Sequence, residues 1–107
     1  MRILKLADFT NGWFVGNFGK GIVRTDAFEV ACQEFRKGEK PTPHVHKIAK
    51  EVTVVNFGKF MANGATLSRG DVLVLEPGEP VRFKCLEDGM TTVVKIPSVP
   101  DDKYPIE

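Results

Sequence analysis

Gly or Pro interrupts the apolar pattern about every ten residues over most of the chain, and no segment sustains the 3.6-residue period of a long amphipathic helix. Alternation with period two dominates instead, which predicts an all-β fold. Arg2 to Leu6 alternates like a short strand, and Asn11-Gly12 is a tight-turn signal before a second strand at Trp13 to Val15. Gly16, Gly19 and Gly21 predict a loop. From Ala27 to Arg36, Phe28, Val30 and Cys32 share one face of a strand, while Glu29, Ala31, Gln33 and Phe35 share the other.

After a break at Gly38 to Pro43, the β-branched run Glu51 to Phe57 predicts a strand that Gly58 ends. Lys59 to Met61 then leads into a hairpin turn at Asn63-Gly64. Gly70 to Leu75 reads as a buried strand because its residues are mostly apolar. Pro77-Gly78 turns the chain into an alternating segment with Val81, Phe83 and Cys85 on one side. A last β-branched run, Thr91 to Ile96, precedes a Pro-rich charged tail, Pro97 to Glu107, expected to pack as an extended arm without continuing the sheet. Eight or more short strands result, and pattern alone leaves sandwich, jelly roll and small barrel open.

At 107 residues the chain is expected to form one domain, and 42% apolar with 27% charged residues excludes a disordered or fibrous class. Fifteen basic against fourteen acidic residues leave a charge of +1, which offers no electrostatic footprint for nucleic acid or an anionic membrane. Arg2, Lys5 and Asp8 break the N-terminal apolar pattern, so it reads as neither a signal peptide nor a membrane span, and a cytoplasmic protein is the expectation. Cys32 and Cys85 are too few for a disulfide scaffold and read as reduced thiols buried for packing.

The chemistry concentrates in Pro43-His44-Val45-His46, which holds both histidines of the chain. In an extended segment the two imidazoles point to one face, and neutral imidazole is the commonest side-chain metal ligand. Glu51 stands five residues on, where a turn through Lys47 to Lys50 can return its carboxylate to the imidazoles. His44, His46 and Glu51 then form a two-His, one-carboxylate set. Read singly, the histidines are exposed or hydrogen-bonded side chains, and Glu51 is a solvated acid paired with Lys47 or Lys50.

The run from Gly38 reads G-x5-H-x-H-x4-E-x6-G, with Gly38, His44, His46, Glu51 and Gly58 in the fixed places. It resembles the first signature motif of the cupin superfamily, a match expected by chance on the order of once in a hundred thousand chains of this length. The second motif, G-x5-P-x-G-x2-H-x3-N, is matched at Gly70 and Gly78, but Glu76 replaces its proline, Val81 its histidine and Cys85 its asparagine. The resemblance spans about residues 27–96. It implies a conical antiparallel jelly-roll barrel, usually dimeric, whose motif residues line the mouth and bind Fe, Mn, Ni or Zn. Val81, in the place of the missing ligand, is expected to face the lumen.

The resemblance carries no single reaction, since cupins include isomerases, dioxygenases, decarboxylases, lyases and binding proteins. The leading expectation is an enzyme that acts on a small sugar-like or hydroxyacid molecule at a divalent metal on His44, His46 and Glu51. Glu34 and Glu76 are candidate acid or base groups. An alternative is a non-catalytic small-molecule-binding or regulatory module in which Val81 has weakened or abolished metal binding. A third reading, a metal-free epimerase with a histidine base, needs a tyrosine or acid across the pocket, and Tyr104 is the only tyrosine. A homodimer is expected, because near-neutral charge does not oppose association and edge strands need cover.

Overall fold

The computed structural model describes residues 1–106. Nine strands follow in order: β1 (Trp13–Val15), β2 (Glu29–Phe35), β3 (His44–Val45), β4 (Lys50–Ala62), β5 (Ala65–Ser68), β6 (Val72–Leu75), β7 (Pro80–Val81), β8 (Phe83–Ile96) and β9 (Tyr104–Pro105). Every strand pair is antiparallel. One sheet runs β1-β2-β8-β4-β5, with β6 also on β4, and a small second sheet runs β7-β3-β9. No helix among the described residues is long and apolar enough to cross a membrane.

β4 and β8 form the spine of the barrel, paired from Lys50↔Ile96 to Ala62↔Phe83. Gly58 does not end β4 as the sequence suggested. The ladder shifts register between Val55 and Phe60, so the strand bends there and continues. Its first half pairs with β6 and its second with β5. Gly58 sits at φ +89°, and a Cβ built there would lie 2.5 Å from the Gly89 Cα and 2.6 Å from the Asp88 carbonyl oxygen. Two glycines therefore face each other at the bend because the backbones approach too closely for a side chain. The segments expected as separate strands around Phe83 and Thr91 are likewise one strand, β8, which runs through Gly89.

The Asn63-Gly64 hairpin forms as expected, with both residues at positive φ (49° and 83°) to suit the twist of β4 and β5. Arg2 to Leu6 is not a strand. Residues 1–5 lack regular structure and Leu6–Asp8 is a 3-10 turn, in which the Asp8 carboxylate accepts the Lys5 N–H at 3.1 Å. Alternation there has no partner strand, and the local turn supplies the hydrogen bonds instead. The tail does add to a sheet: β9 pairs with β3, and Ile106 N–H donates to the Pro43 carbonyl. Pro105 is tolerated because this strand lies at an edge, where no ladder N–H is required of it.

The packed end of the barrel centres on Val55, Phe60 and Cys85, with Phe35, Leu67 and Phe83 against them. Phe60 stacks on Phe83 at 5.1 Å between ring centroids and meets Phe35 edge-on at 5.5 Å. Removing one such ring from water stabilises the fold by roughly 1.5–3 kcal/mol. Along β2 the more apolar face looks outward. Ala31 is fully buried and Phe35 joins the core, whereas Phe28 on the opposite face is exposed. β6 is buried on one side only: Leu75 is buried, while Val72 and Val74 are exposed. Both cysteines are free thiols, Cys85 within the core.

Candidate metal centre

A cavity of about 630 Å³ extends from this core, where Phe35 and Phe83 line it, to His44 and Glu51. His44 is placed by β3, in register with Val81 of β7 and Pro105 of β9. Glu51 lies on β4 between Lys95 of β8 and Leu75 of β6. His46 follows β3, and its carbonyl accepts the Gly78 N–H at 2.7 Å, so the Pro77-Gly78 turn anchors the backbone of a site residue.

Between His46 and Glu51 the chain wraps around one buried carboxylate. Asp102 accepts the N–H groups of Lys47 (2.9 Å), Ile48 (3.1 Å) and Ala49 (2.9 Å). Burial alone would raise its carboxyl, but these three donors hold it below the ordinary aspartate value. The tail thus fixes the turn that returns Glu51 to the histidines, a role no local sequence signal announced.

One donor atom from each of His44, His46 and Glu51 falls within a 4.8 Å set. His44 Nδ1 lies 2.9 Å from the Thr42 carbonyl, the contact that orients a ring so its other nitrogen can coordinate. Burial lowers the His44 pKa and favours the neutral, ligating form. His46 Nδ1 is 3.1 Å from Glu51 Oε2, yet the buried His46 Nε2 and Glu51 Oε2 both lack a hydrogen-bond partner among the described residues. Burial pushes the Glu51 carboxyl up, but contact with His46 and the charge of Lys95 outweigh it and leave the group below its usual value. A buried polar atom left without a hydrogen bond is costly, and two such atoms within a three-donor cluster fit a bound cation.

Val81 is buried, lines the cavity and pairs directly with His44. The structure does not bring Glu34 or Glu76 to the cluster. Glu34 borders the cavity but is exposed, and Glu76 is a surface acid 3.4 Å from Lys50 Nζ. Tyr104 lies under the Lys47 ammonium at 3.9 Å and does not line the cavity, so it is not placed as an acid partner to the histidines. Sequence reading missed Glu29, Lys95, Thr53 and Trp13, which line the cavity beside the cluster. Their signal is the strand register: Glu29 and Glu51 both pair with Lys95, and only the sheet reveals that row.

An antiparallel barrel packed at one end and open at a histidine-bearing mouth is the double-stranded β-helix. Solved structures agree. KdgF from Halomonas sp. is 27% identical, with a TM-score of 0.65 over 72% of this chain and 74% of that one. An RmlC-like cupin from Shewanella frigidimarina is 23% identical, with a TM-score of 0.66 over 72% of each chain. Bacillus subtilis oxalate decarboxylase, a protein with Mn(II) centers, is 15% identical with a TM-score of 0.65, but the match spans only 25% of its length. The chain shares the fold of these double-stranded β-helix and cupin structures. No family profile and no curated protein matches its sequence.

Proposed function

We propose that His44, His46 and Glu51 hold one divalent metal ion, Fe, Mn, Ni or Zn, and that the protein is an enzyme acting on a small polar molecule bound in the adjoining cavity. The observation that carries this reading is the convergence of three donor side chains, two of which present a buried atom without a hydrogen bond, His46 Nε2 and Glu51 Oε2. Mn(II) centers in a protein of the same fold support it. Three protein ligands leave coordination positions open, and a metal so held supplies Lewis acidity toward a carbonyl or hydroxyl oxygen. The chain's own groups hold the pocket around that point. Thr53 Oγ1 donates to Glu51 Oε1 at 3.4 Å and steadies the carboxylate, while the Thr42 carbonyl orients His44.

Elemental analysis of untagged protein grown with added metals tests the proposal. Wild type should carry near-stoichiometric metal and the His44→Ala/His46→Ala double variant none, with the fold retained because neither histidine belongs to the apolar core cluster. Equal metal in both would refute it.

One observation favours a second reading. Val81 places a buried aliphatic side chain directly opposite His44, where the resemblance leads one to expect a fourth ligand. A non-catalytic small-molecule-binding module with weak or no metal follows from that substitution, and metal-free wild-type protein in the same assay would select it.

A further inference from the structure

The cavity contains a cation whose partner is missing. Lys95 lies between Glu29 and Glu51 in the register of β2, β8 and β4, on the inward face with Thr91 and Val93. Neither carboxylate closes on it. Glu29 Oε1 is engaged by the Ser98 hydroxyl at 3.4 Å, and Glu51 Oε1 by the Thr53 hydroxyl while its Oε2 faces His46. Among the described residues no carboxylate oxygen lies within 4.0 Å of the Lys95 ammonium and no acceptor hydrogen-bonds it. Its nearest counterpart is the face of Trp13, 4.8 Å from the ring centroid. This half-buried ammonium rests on an indole with no protein acceptor among the described residues, so an anion entering the cavity can pair with it without displacing a protein partner.

Lys95 is the one lining cation that the strand register places in the row with Glu29 and Glu51. Lys103 also lines the cavity, together with the carboxylates Glu29, Glu34, Glu39 and Glu51, of which Glu34 and Glu39 are exposed. Burial raises the Glu29 carboxyl from its ordinary value. The cavity also has an apolar lining that includes Leu73, Leu75, Val81 and Phe83.

We propose that Lys95 is the anion anchor of this cavity and that the ligand is a small molecule with an oxyanion, carboxylate or phosphate, next to a neutral hydroxyl or carbonyl oxygen. The oxyanion pairs with the Lys95 ammonium, and the neutral oxygen is directed toward the His44, His46 and Glu51 cluster. The direction of that second oxygen rests on the metal reading above, whereas the pairing with Lys95 does not.

Three probes share one skeleton: glycerate, glycerol 3-phosphate and uncharged glycerol. Binding is measured by calorimetry with metal-loaded and with chelator-treated protein, for wild type, Lys95→Met and Lys95→Arg. In wild type at least one anionic probe should bind ten-fold or more tightly than glycerol, in both preparations. Lys95→Met should lose at least ten-fold affinity for that anion, with glycerol binding and metal content unchanged. Lys95→Arg should keep the preference, which separates a lost charge from a damaged fold. Preference for glycerate or for the phosphate ester tells the two oxyanions apart. Wild type that binds glycerol as well as either anion, or Lys95→Met that binds the anions like wild type, overturns the proposal. Metal-free wild type with an intact Lys95-dependent preference overturns only the metal reading.

Discussion

Replacing Asp102 with Asn removes one carboxylate oxygen at the point where the tail secures the turn between His46 and Glu51. Asp102 is 5% exposed and accepts three backbone N–H groups, two of them, Ile48 and Ala49, through Oδ2. In the variant an amide NH2 must stand at one oxygen position. If it replaces Oδ2, it confronts the Ala49 N–H, whose residue is only 2% exposed, and leaves that donor without an acceptor. A hydrogen bond to a charged group contributes about 1.5–3 kcal/mol, and an orphaned buried donor costs about 1–3 kcal/mol. The expected loss is about 2–4 kcal/mol, or roughly 10–25 °C in melting temperature for a chain of this size.

Because the Asp102 pKa is depressed in the folded protein, its contribution is complete above the unfolded aspartate value of about 3.9 and is lost as pH falls through the lower folded value. The gap between wild type and Asp102→Asn should therefore be widest near neutrality and shrink below about pH 4. Urea unfolding from pH 3 to 7 measures both quantities. Equal midpoints for the two proteins at neutral pH, or a gap that grows toward acid pH, would refute the reasoning.

Val81→His sets an imidazole in register with His44 and should tighten metal binding at neutral pH, measured by competition with a chelator; unchanged affinity in a folded variant would mean that Val81 does not face the centre. Gly58→Ala should destabilise the protein by about 3 kcal/mol in urea unfolding, from positive φ plus collision with Gly89, whereas Gly38→Ala, also at positive φ but in open space, should cost only about 1–2 kcal/mol. Equal losses would show that the close approach of β4 and β8 is not what requires glycine. A homodimer is expected, since Phe28, Val72 and Val74 are exposed on the outer face of the large sheet, where a second copy can cover them. Light scattering coupled to gel filtration checks this, and a monomer mass at tens of micromolar would end the idea.

Local pattern was enough to declare the all-β class, most of the strand segments, the Asn63-Gly64 hairpin and the spacing of His44, His46 and Glu51, because side-chain alternation and turn chemistry act over a few residues. It was not enough to tell which face of β2 is inside, since Phe28, Val30 and Cys32 look more like a core than Glu29 and Gln33 do. An open polar cavity reverses the usual assignment. It also misread Arg2 to Leu6, where alternation found no partner strand, and Gly58, whose role depends on Gly89 across the sheet. Tertiary structure alone decided the rest. The tail supplies Asp102 to a turn more than fifty residues earlier, and the register of three strands sets Glu29, Lys95 and Glu51 in one row. Contacts between residues far apart in sequence leave no periodic trace along the chain, so they become visible only when closure of the barrel sets the strands side by side.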